Sequence, residues 1–412
     1  MEADRCWRTV VFTTPGECPE EVRDIVRMLC EGVADIVHVR KPGWTRERQA
    51  QLLRRVPEEL HPRLRLHDCF ELLEEFPLIG GVHLNSRHPE APVGARHVSR
   101  SCHALAEVAE CDREFDYVTL SPVFDSISKP GYVSGFDHTA LAGSLAGRRV
   151  IALGGVRPES FPYLKRLGFA GAAMLGYIRE GGDTAMAQTL KYNGLVRNFA
   201  LQLITDAPDA ETTLVQIRGA LAGGCRWVQI RMKGAPEAEV SRAVAEARPL
   251  CEAAGATLLV DDNVEIARTH GIGVHLGKND MPAPEARAIL GPHAIIGSTC
   301  NSAEDIEAVT AAGASDYIGL GPFRFTRTKS NLAPVLGPEG YRRLAGGDSP
   351  GRLPVVAIGG ITPADVGTLL EAGADGVAVS GAIAHAADPA QAARAFMNEI
   401  HNHTIEINKH TI

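Results

Sequence analysis

The segment Gly273-Val274-His275-Leu276 repeats Gly81-Val82-His83-Leu84 from the first half of the chain. Other short segments recur around it in the same order, and the members of each pair lie about 200 residues apart. The pairs are 37–41 and 228–233, 66–68 and 260–262, 116–122 and 316–322, and 152–156 and 357–361. A duplication of this size predicts two domains of one design.

Composition supports two domains and excludes several classes of partner. A chain of 412 residues exceeds what one hydrophobic core normally serves, so we expect domains at 1–194 and 195–400. The formal charge of −8 gives no basic field for nucleic acid or an anionic membrane. No apolar run approaches the roughly 18 residues of a membrane span, and no export signal is evident, which predicts a cytoplasmic protein with reduced cysteines.

Short β-branched runs alternate with helical patterns in both halves, which predicts two tandem (β/α)8 TIM barrels in the α/β class. A doubly wound open sheet is the structural alternative. The predicted strands are 8–13, 35–40, 63–67, 80–84, 96–99, 116–120, 149–153 and 170–175, then 201–205, 227–231, 257–260, 273–276, 294–299, 316–320, 354–358 and 376–380.

Three further expectations concern regularity and connections. The first half is short between its third and fifth strands, so its barrel should be less regular. The join near residues 192–195 follows the end of a helical pattern and has no flexible tract, which suggests that the two barrels dock within one chain. Residues 401–412 lose periodicity and are expected to form a mobile tail rather than a histidine metal tract.

Polar residues follow the strands of the second half, where parallel barrels carry their chemistry. Gln229, Arg231 and Lys233 alternate along the end of the second strand and therefore point to one side of the pleat. A solvated strand end is the alternative interpretation of this triplet.

Carboxylates also end two neighbouring strands, since Asp261 and Asp262 follow the third and Asp280 follows the fourth. Carboxylates from adjacent loops suit Mg²⁺, which keeps water and is completed by substrate phosphate oxygens. Asp262 could instead cap the helix that follows it.

Two anion grips are predicted beyond the carboxylates. Thr326-Arg327-Thr328-Lys329 offers hydroxyls and an ammonium after the sixth strand. Gly359-Gly360 and Ser380-Gly381 follow the last two strands, where such barrels hold phosphate on backbone N–H groups. The layout suits two phosphorylated substrates, one of them a diphosphate.

On these motifs, residues 199–397 closely resemble thiamine phosphate synthase, a (β/α)8 enzyme that joins a hydroxymethylpyrimidine diphosphate to a thiazole phosphate and releases pyrophosphate. The resemblance implies that Mg²⁺ is held by Asp262 and Asp280. It also implies two groups of substrate ligands: Gln229, Arg231, Lys233 and Lys329 for the pyrimidine diphosphate, and Thr326, Thr328, Gly359, Gly360, Val379 and Ser380 for the thiazole phosphate.

Two positions depart from the family pattern. Asp261-Asp262 stands where the family usually has Asn-Asp, and Thr299-Cys300-Asn301 where it has Ser-x-His. Asp261 and Thr299 are both expected as substrate ligands. The added charge of Asp261 beside a diphosphate is tolerable if that side chain moves toward the metal, and Thr299 keeps a hydroxyl that can act as a hydrogen-bond partner. The implied mechanism is dissociative: Arg231, Lys233 and Lys329 stabilise charge on departing pyrophosphate, and no protein nucleophile is needed.

The first half keeps part of this set, namely Arg40, Asp68, Ser101, Lys129, Gly154 and Gly155. His38 replaces Gln229, His88 replaces Asp280, and Ser126 and Ser128 replace the two threonines. With one carboxylate, diphosphate ionisation should be weak or absent.

This half resembles the divergent branch of the family that includes the thiazole tautomerase, although Ser121-Pro122-Val123-Phe124 lacks that enzyme's histidine. Other candidates for proton transfer in a possible site of this half are His38, His67, His83, His88 and His103. A thiazole phosphate binding or tautomerising partner, a weak second synthase and a structural pseudoenzyme all remain open for it. His83, present in both halves, is expected to be structural. For the whole chain, another phosphate-binding barrel enzyme and a non-catalytic metabolite-binding protein are the alternatives.

Overall fold

The computed structural model describes residues 7–111, 115–125, 134–145, 148–325, 333–347 and 351–410. Six residues predicted for the sites lie outside these ranges: Ser126, Ser128, Lys129, Thr326, Thr328 and Lys329. The chain divides into two compact units, and the boundary falls between Asn193 and Gly194.

The first unit is a closed barrel of eight parallel strands, in which each strand pairs with its sequence neighbour and β8 pairs with β1. Its strands are β1 (Arg8–Phe12), β2 (Ile36–Val39), β3 (Leu64–Leu66), β4 (Gly81–Leu84), β5 (His97–Cys102), β6 (Tyr117–Leu120), β7 (Val150–Ala152) and β8 (Gly171–Met174). The predicted strand order is confirmed.

Helices cover most crossovers of this barrel: α1 (Glu21–Cys30), α2 (Arg46–Arg55), α3 (Leu72–Glu75), α4 (Leu105–Cys111), α5 (His138–Leu145), α6 (Phe161–Arg166) and α7 (Tyr177–Asn198). The 3₁₀ segments are Glu58–Arg63 and Pro158–Ser160. The crossover from β4 to β5, residues 85–96, contains no helix. The expected irregularity is therefore confirmed, because this connection is too short to return along the barrel as a helix.

The second unit is a second closed eight-stranded parallel barrel, and the open-sheet alternative is wrong for both units. Its strands are β9 (Leu201–Ile204), β10 (Trp227–Ile230), β11 (Thr257–Asp261), β12 (Gly273–Leu276), β13 (Ile296–Cys300), β14 (Tyr317–Leu320), β15 (Val355–Ile358) and β16 (Gly376–Val379).

Its helices are α8 (Ala210–Ala222), α9 (Glu237–Ala253), α10 (Val264–His270), α11 (Ala283–Leu290), α12 (Ala303–Ala312), α13 (Gly337–Leu344), α14 (Val366–Glu371), α15 (Gly381–Ala384) and α16 (Pro389–His410), with a 3₁₀ turn at Pro363–Asp365. Short polar residues start several of them. Asp209 accepts from the backbone N–H of Thr212, and Ser302 accepts from that of Asp305. These caps satisfy N–H groups that a helix start leaves unpaired.

Strands of the second barrel are buried on both faces. Val228 and Val260 face the helices within one hydrophobic cluster. On the inner face, the rings of Phe199, Trp227 and Tyr317 meet edge to face, with centroids 5.2–5.6 Å apart. Packing on both faces explains the nearly unbroken apolar runs in the sequence.

The structure corrects two expectations about connections. The join lies inside α7, which is interrupted at Gly182 and continues to Asn198, whereas the helical pattern was expected to end before residue 192. The tail expected to be mobile from His401 is helical to His410, and His403 is buried. Packing of α16 against α14 extends that helix beyond its periodic sequence.

Two findings bear on composition. Across the part of the chain that the structure describes, no helix combines the length and the apolar character needed to cross a membrane. Five cysteines are buried free thiols: Cys102, Cys111, Cys225, Cys251 and Cys300. Burial raises the pKa of Cys225 to about 11. These cysteines are parts of the core.

Candidate functional site

A cavity of about 580 Å³ opens at the carboxyl ends of the strands of the second barrel. Most of the residues predicted for the site line it: Gln229, Arg231, Asp261, Asp262, Asp280, Thr299, Gly359, Gly360, Val379 and Ser380. Lys233 does not line it and is exposed. Strands far apart in sequence therefore bring one polar set to one barrel end, as the repeat predicted.

Arg231 is held in place by two carboxylates. Its Nη1 lies 3.3 Å from Asp206 Oδ1, and its Nε lies 3.3 Å from Asp261 Oδ2. The backbone N–H of Arg231 donates to Thr205 Oγ1 at 2.8 Å. His385 Nε2 lies 2.9 Å from the other oxygen of Asp206. The guanidinium is thus fixed at the cavity wall before any ligand arrives.

Asp261, predicted as a substrate ligand, lines the cavity, and its carboxylate contacts Arg231 and accepts from Gln229 Nε2. Its charge is therefore balanced by Arg231 rather than by movement toward the metal. Alternation along β11 explains this, since Asp261 shares the inner face with Leu259 while Asp262 lies beyond the strand. Asp206 and His385 were not found from the sequence, because Asp206 has no motif around it and His385 lies beyond the Ser380-Gly381 motif, after α15.

Two buried polar atoms on the cavity have no hydrogen-bond partner within the described residues: Gln229 Oε1 and Ser380 Oγ. Buried polar groups are nearly always satisfied in native proteins. Both atoms therefore mark places where a polar ligand or water is expected to bind.

A line of hydrogen bonds supports Thr299 from inside the barrel. His275 Nε2 lies 3.0 Å from Thr299 Oγ1, and His275 Nδ1 lies 3.0 Å from the hydroxyl of Tyr317. Burial raises the pKa of Tyr317, so this phenol stays protonated and can donate to His275 Nδ1. His275 then donates from Nε2, which leaves the Thr299 hydroxyl proton available to the cavity. His275 thus has a positioning role as well as a structural one.

The two predicted metal ligands come from neighbouring strands and line the same cavity. Asp262 has a left-handed backbone, with φ of 62°, and its N–H donates to His275 O at 2.9 Å. Asn263 accepts from Ile266 N and caps α10, so the alternative of Asp262 as the cap is wrong. Asp280 Oδ2 accepts from Gly277 N at 2.7 Å. Two carboxylates on one polar cavity fit a hard cation such as Mg²⁺.

The glycine pair after β15 forms a close turn. Gly359 and Gly360 have φ of 101° and 67°, and a Cβ on Gly359 would lie 2.8 Å from Pro322 Cβ. Arg324 braces the turn with two hydrogen bonds to Asp365, at 2.7 and 2.8 Å. The exposed backbone of this turn and the Val379-Ser380 segment are suited to an anion.

The first barrel fills the equivalent inner positions with imidazoles. His38 pairs in register with Phe12, as Gln229 does with Ile204, and His83 pairs with Ser99 as His275 does with Gly297. His67 occupies the place of Asp261 in the repeated motif. We call His38, His67 and His83 the histidine cluster.

Every ring of the cluster is buried and hydrogen-bonded. His38 Nδ1 lies 2.8 Å from His67 Nε2, and His38 Nε2 lies 2.5 Å from the hydroxyl of Tyr117. His83 lies 2.8 Å from both Ser99 Oγ and Ser101 Oγ. Burial lowers the pKa of all three histidines, to about 3 for His83, so the cluster is uncharged at neutral pH.

In the first barrel, the counterpart of the carboxylate pair consists of one carboxylate, Asp68, and one imidazole, His88. Asp68 Oδ1 lies 3.1 Å from His88 Nε2 and 3.6 Å from Arg87 Nη2. Lys41, the neighbour of the position of Lys233, is buried in an ion pair with Glu21. Asp68 is therefore surrounded by basic side chains rather than by a second carboxylate.

The first barrel retains the glycine turn and the arginine. Gly154 and Gly155 have φ of 90° and 65°, and the N–H of Arg40 donates to Thr13 Oγ1 at 2.9 Å. Burial is the main cause that lowers the pKa of Arg40. Gly155 and Arg157 line an open depression at this end of the barrel. Arg157 was not identified from the sequence, since it lies beyond the matched motif.

The model of the family described as thiamine monophosphate synthase matches residues 9–178 and again residues 201–383. The chain belongs to this family. Its members include a thiamine-phosphate synthase of Bacteroides fragilis, which is 50% identical over 203 residues, 48% of this chain and 99% of the relative. One from Phocaeicola vulgatus is 49% identical over 205 residues, 49% of this chain and 98% of the relative. Each relative thus corresponds to about half of this tandem chain.

The solved thiamine phosphate pyrophosphorylase of Pyrococcus furiosus is 33% identical. It covers 51% of this chain and 98% of its own, with a TM-score of 0.45.

Proposed function

We propose that the second barrel is a thiamine phosphate synthase. It joins 4-amino-2-methyl-5-(diphosphooxymethyl)pyrimidine to thiazole phosphate and forms thiamine phosphate and pyrophosphate. The family and the names of its members support this activity. The observation that carries the proposal is one cavity lined by a fixed arginine, two carboxylates and a glycine turn. That combination provides for a diphosphate, a cation and a second phosphate.

Arg231 is the main diphosphate ligand of the described residues. Since Asp206 and Asp261 already fix its guanidinium, little side-chain entropy is lost when a phosphate binds. Negative charge grows on the pyrophosphate as its bond to the pyrimidine methylene breaks, and the fixed guanidinium stabilises that charge. Asp262 and Asp280 would hold Mg²⁺, which supplies further charge neutralisation when bound. Lys233 and Lys329 stay predicted contributors.

The remaining cavity residues orient the two rings. Gln229 Oε1 and the Thr299 hydroxyl face the cavity and provide one acceptor and one donor for an aminopyrimidine. Gly359, Gly360 and Ser380 receive the thiazole phosphate, with Thr326 and Thr328 as predicted partners. The thiazole nitrogen then attacks the electron-poor methylene carbon, so no protein nucleophile takes part. Apolar neighbours such as Ile358 and Pro322 limit capture by water.

We propose that the first barrel does not ionise a diphosphate. Asp68 pairs with His88 and Arg87, and the histidine cluster fills the inner positions. Its glycine turn with Arg157 supports a thiazole phosphate binding or inactive relative of the synthase.

The test measures product formation by the full chain with both substrates and Mg²⁺. Thiamine phosphate and pyrophosphate should appear in equal amounts, and a chelator should stop the reaction. Arg231→Met should reduce turnover by about 10²-fold or more, because a charge-stabilising donor is lost. The matched variant Arg40→Met should keep it. No product from the unmodified chain would refute the proposal, and equal losses in the two variants would refute the assignment to the second barrel.

A further inference from the structure

The histidine cluster of the first barrel is not explained by the proposed synthase activity. His38 lies on β2 and His83 on β4, and His67 directly follows β3. The three rings meet inside the barrel. One ligand nitrogen from each ring can be chosen so that all three lie within 4.8 Å of one another. Among the described residues no other group of histidine, cysteine or acidic side chains shows this convergence.

We propose that His38, His67 and His83 bind a divalent transition metal of the zinc class inside the first barrel. Three imidazoles with one remaining coordination position form a known type of zinc site. Neutral imidazole suits zinc, cobalt, nickel and copper, whereas magnesium and calcium prefer oxygen. The chemistry of this set therefore differs from that of the carboxylate pair in the second barrel.

The distances are close to those that a tetrahedral ion requires. Metal–nitrogen bonds of about 2.0–2.1 Å separate the ligand nitrogens by about 3.4 Å. His38 Nδ1 and His67 Nε2 would move apart from 2.8 Å, and His83 would move toward them from within 4.8 Å. Shifts of about 1 Å or less per ring meet this requirement, which side-chain rotation supplies.

For His38 and His83, the surroundings supply the outer hydrogen bond that a histidine ligand usually makes through its second nitrogen. His38 Nε2 is held by the Tyr117 hydroxyl, and either nitrogen of His83 remains held by a serine when the other binds the ion. Ser101 is part-exposed and contacts His83, so it marks a route from the barrel mouth.

Positively charged side chains near the cluster weaken cation binding but do not prevent it. Arg65 and Arg40 each disfavour protonation of one of the rings. A proton gains a bond to a single nitrogen, whereas a transition metal gains bonds to three at once. The cluster can therefore reject protons at neutral pH and still bind a metal ion.

The experiment uses the full chain, stripped of metal by a chelator and titrated with Co²⁺ and then Zn²⁺. We expect one Co²⁺ per chain with the visible absorption of a nitrogen-ligated tetrahedral ion, and displacement of that ion by Zn²⁺. His38→Gln, which introduces the residue found at Gln229, should weaken binding at least 100-fold. His103→Asn, which introduces the residue found at Asn301, is the matched control and should bind as the unmodified chain does.

A second measurement follows the stability of the first barrel. Trp7 and Trp44 report on the first barrel, so in a Trp227→Phe background Zn²⁺ should raise the midpoint of fluorescence-detected unfolding. Asp262→Asn with Asp280→Asn should leave the cobalt spectrum unchanged. Absence of stoichiometric binding, or binding that His38→Gln and His67→Asn do not alter, would show a cluster held together by hydrogen bonds alone and would overturn the proposal.

Discussion

The two barrels share a frame and differ at the inner positions that face the barrel mouth. In the second barrel, Gln229, Asp261 and His275 line an open cavity. In the first, the histidine cluster occupies the corresponding positions and packs against Phe12, with ring centroids 4.6–6.2 Å from the phenyl ring. Strand register is the same in both. A few inward-facing side chains therefore decide what chemistry each barrel offers at this position.

The largest expected difference between the barrels concerns their carboxylates. Asp280→Asn combined with Asp262→Asn should lower kcat for thiamine phosphate formation by about 10²-fold or more, because the negative ligands for the cation are lost. Steady-state turnover at saturating Mg²⁺ measures the effect.

Asp68→Asn is the matched variant in the first barrel and should change kcat by less than about twofold, since local changes outside the site rarely alter catalysis. A comparable loss in Asp68→Asn would mean that the first barrel takes part in the reaction.

The glycine turns permit a second comparison with a smaller effect. Gly359→Ala should raise KM for thiazole phosphate about tenfold, because its Cβ would lie 2.8 Å from Pro322 Cβ and displace the turn. In Gly154→Ala, the added Cβ would lie 2.7 Å from Pro122 Cα, and the φ of Gly154 is similar to that of Gly359. Both variants should therefore lose about 1–3 kcal/mol of stability. Kinetics with thermal unfolding separates the two effects, and an unchanged KM in Gly359→Ala would remove this turn from the substrate site.

Acid should affect the first barrel before the second. The cluster histidines have folded pKa values below the unfolded value of about 6.5, so below that pH the unfolded state binds more protons. The free energy of unfolding should therefore fall as pH drops from about 6.5 toward 3, by up to about 4 kcal/mol per pH unit, with no such effect above about 7. Arg65, Arg40 and Arg87 strengthen this dependence.

The measurement is acid unfolding of the chelator-treated full chain, followed by tryptophan fluorescence. In the Trp227→Phe background, this fluorescence comes from the first barrel alone. His67→Asn should reduce the slope by about a third, because one of three protonation sites is removed. Equal slopes with and without His67 would show that other groups control acid unfolding.

The two-barrel fold could be predicted from the sequence because buried strands and repeated motifs are local signals. Most cavity residues could then be predicted from the fold, since strand ends meet at one edge of a barrel. The contact between Asp206 and His385 could not be predicted, because these residues stand 179 positions apart and only barrel closure joins them. The histidines of the cluster were predicted only as separate candidates for proton transfer, because His38 and His67 are separated by 29 positions and meet through strand pairing. The side to which Asp261 turns depended on where β11 ends, which sequence patterns locate poorly.

The smallest effect is expected at Asp261, where the chain departs from its family. Asp261→Asn keeps an oxygen for Gln229 Nε2 but removes the ion pair with Arg231. Pairs of this partly exposed kind contribute about 0–1 kcal/mol, so stability should change little. KM for the pyrimidine diphosphate should fall by about two- to fivefold. The substitution removes a negative charge that repels the diphosphate, and it frees the Arg231 guanidinium from one carboxylate so that it can bind the substrate instead. Asp261→Leu is the control that also removes the hydrogen bond from Gln229, and its KM should rise instead. A higher KM in Asp261→Asn would mean that the carboxylate positions Arg231 more than it competes with the substrate.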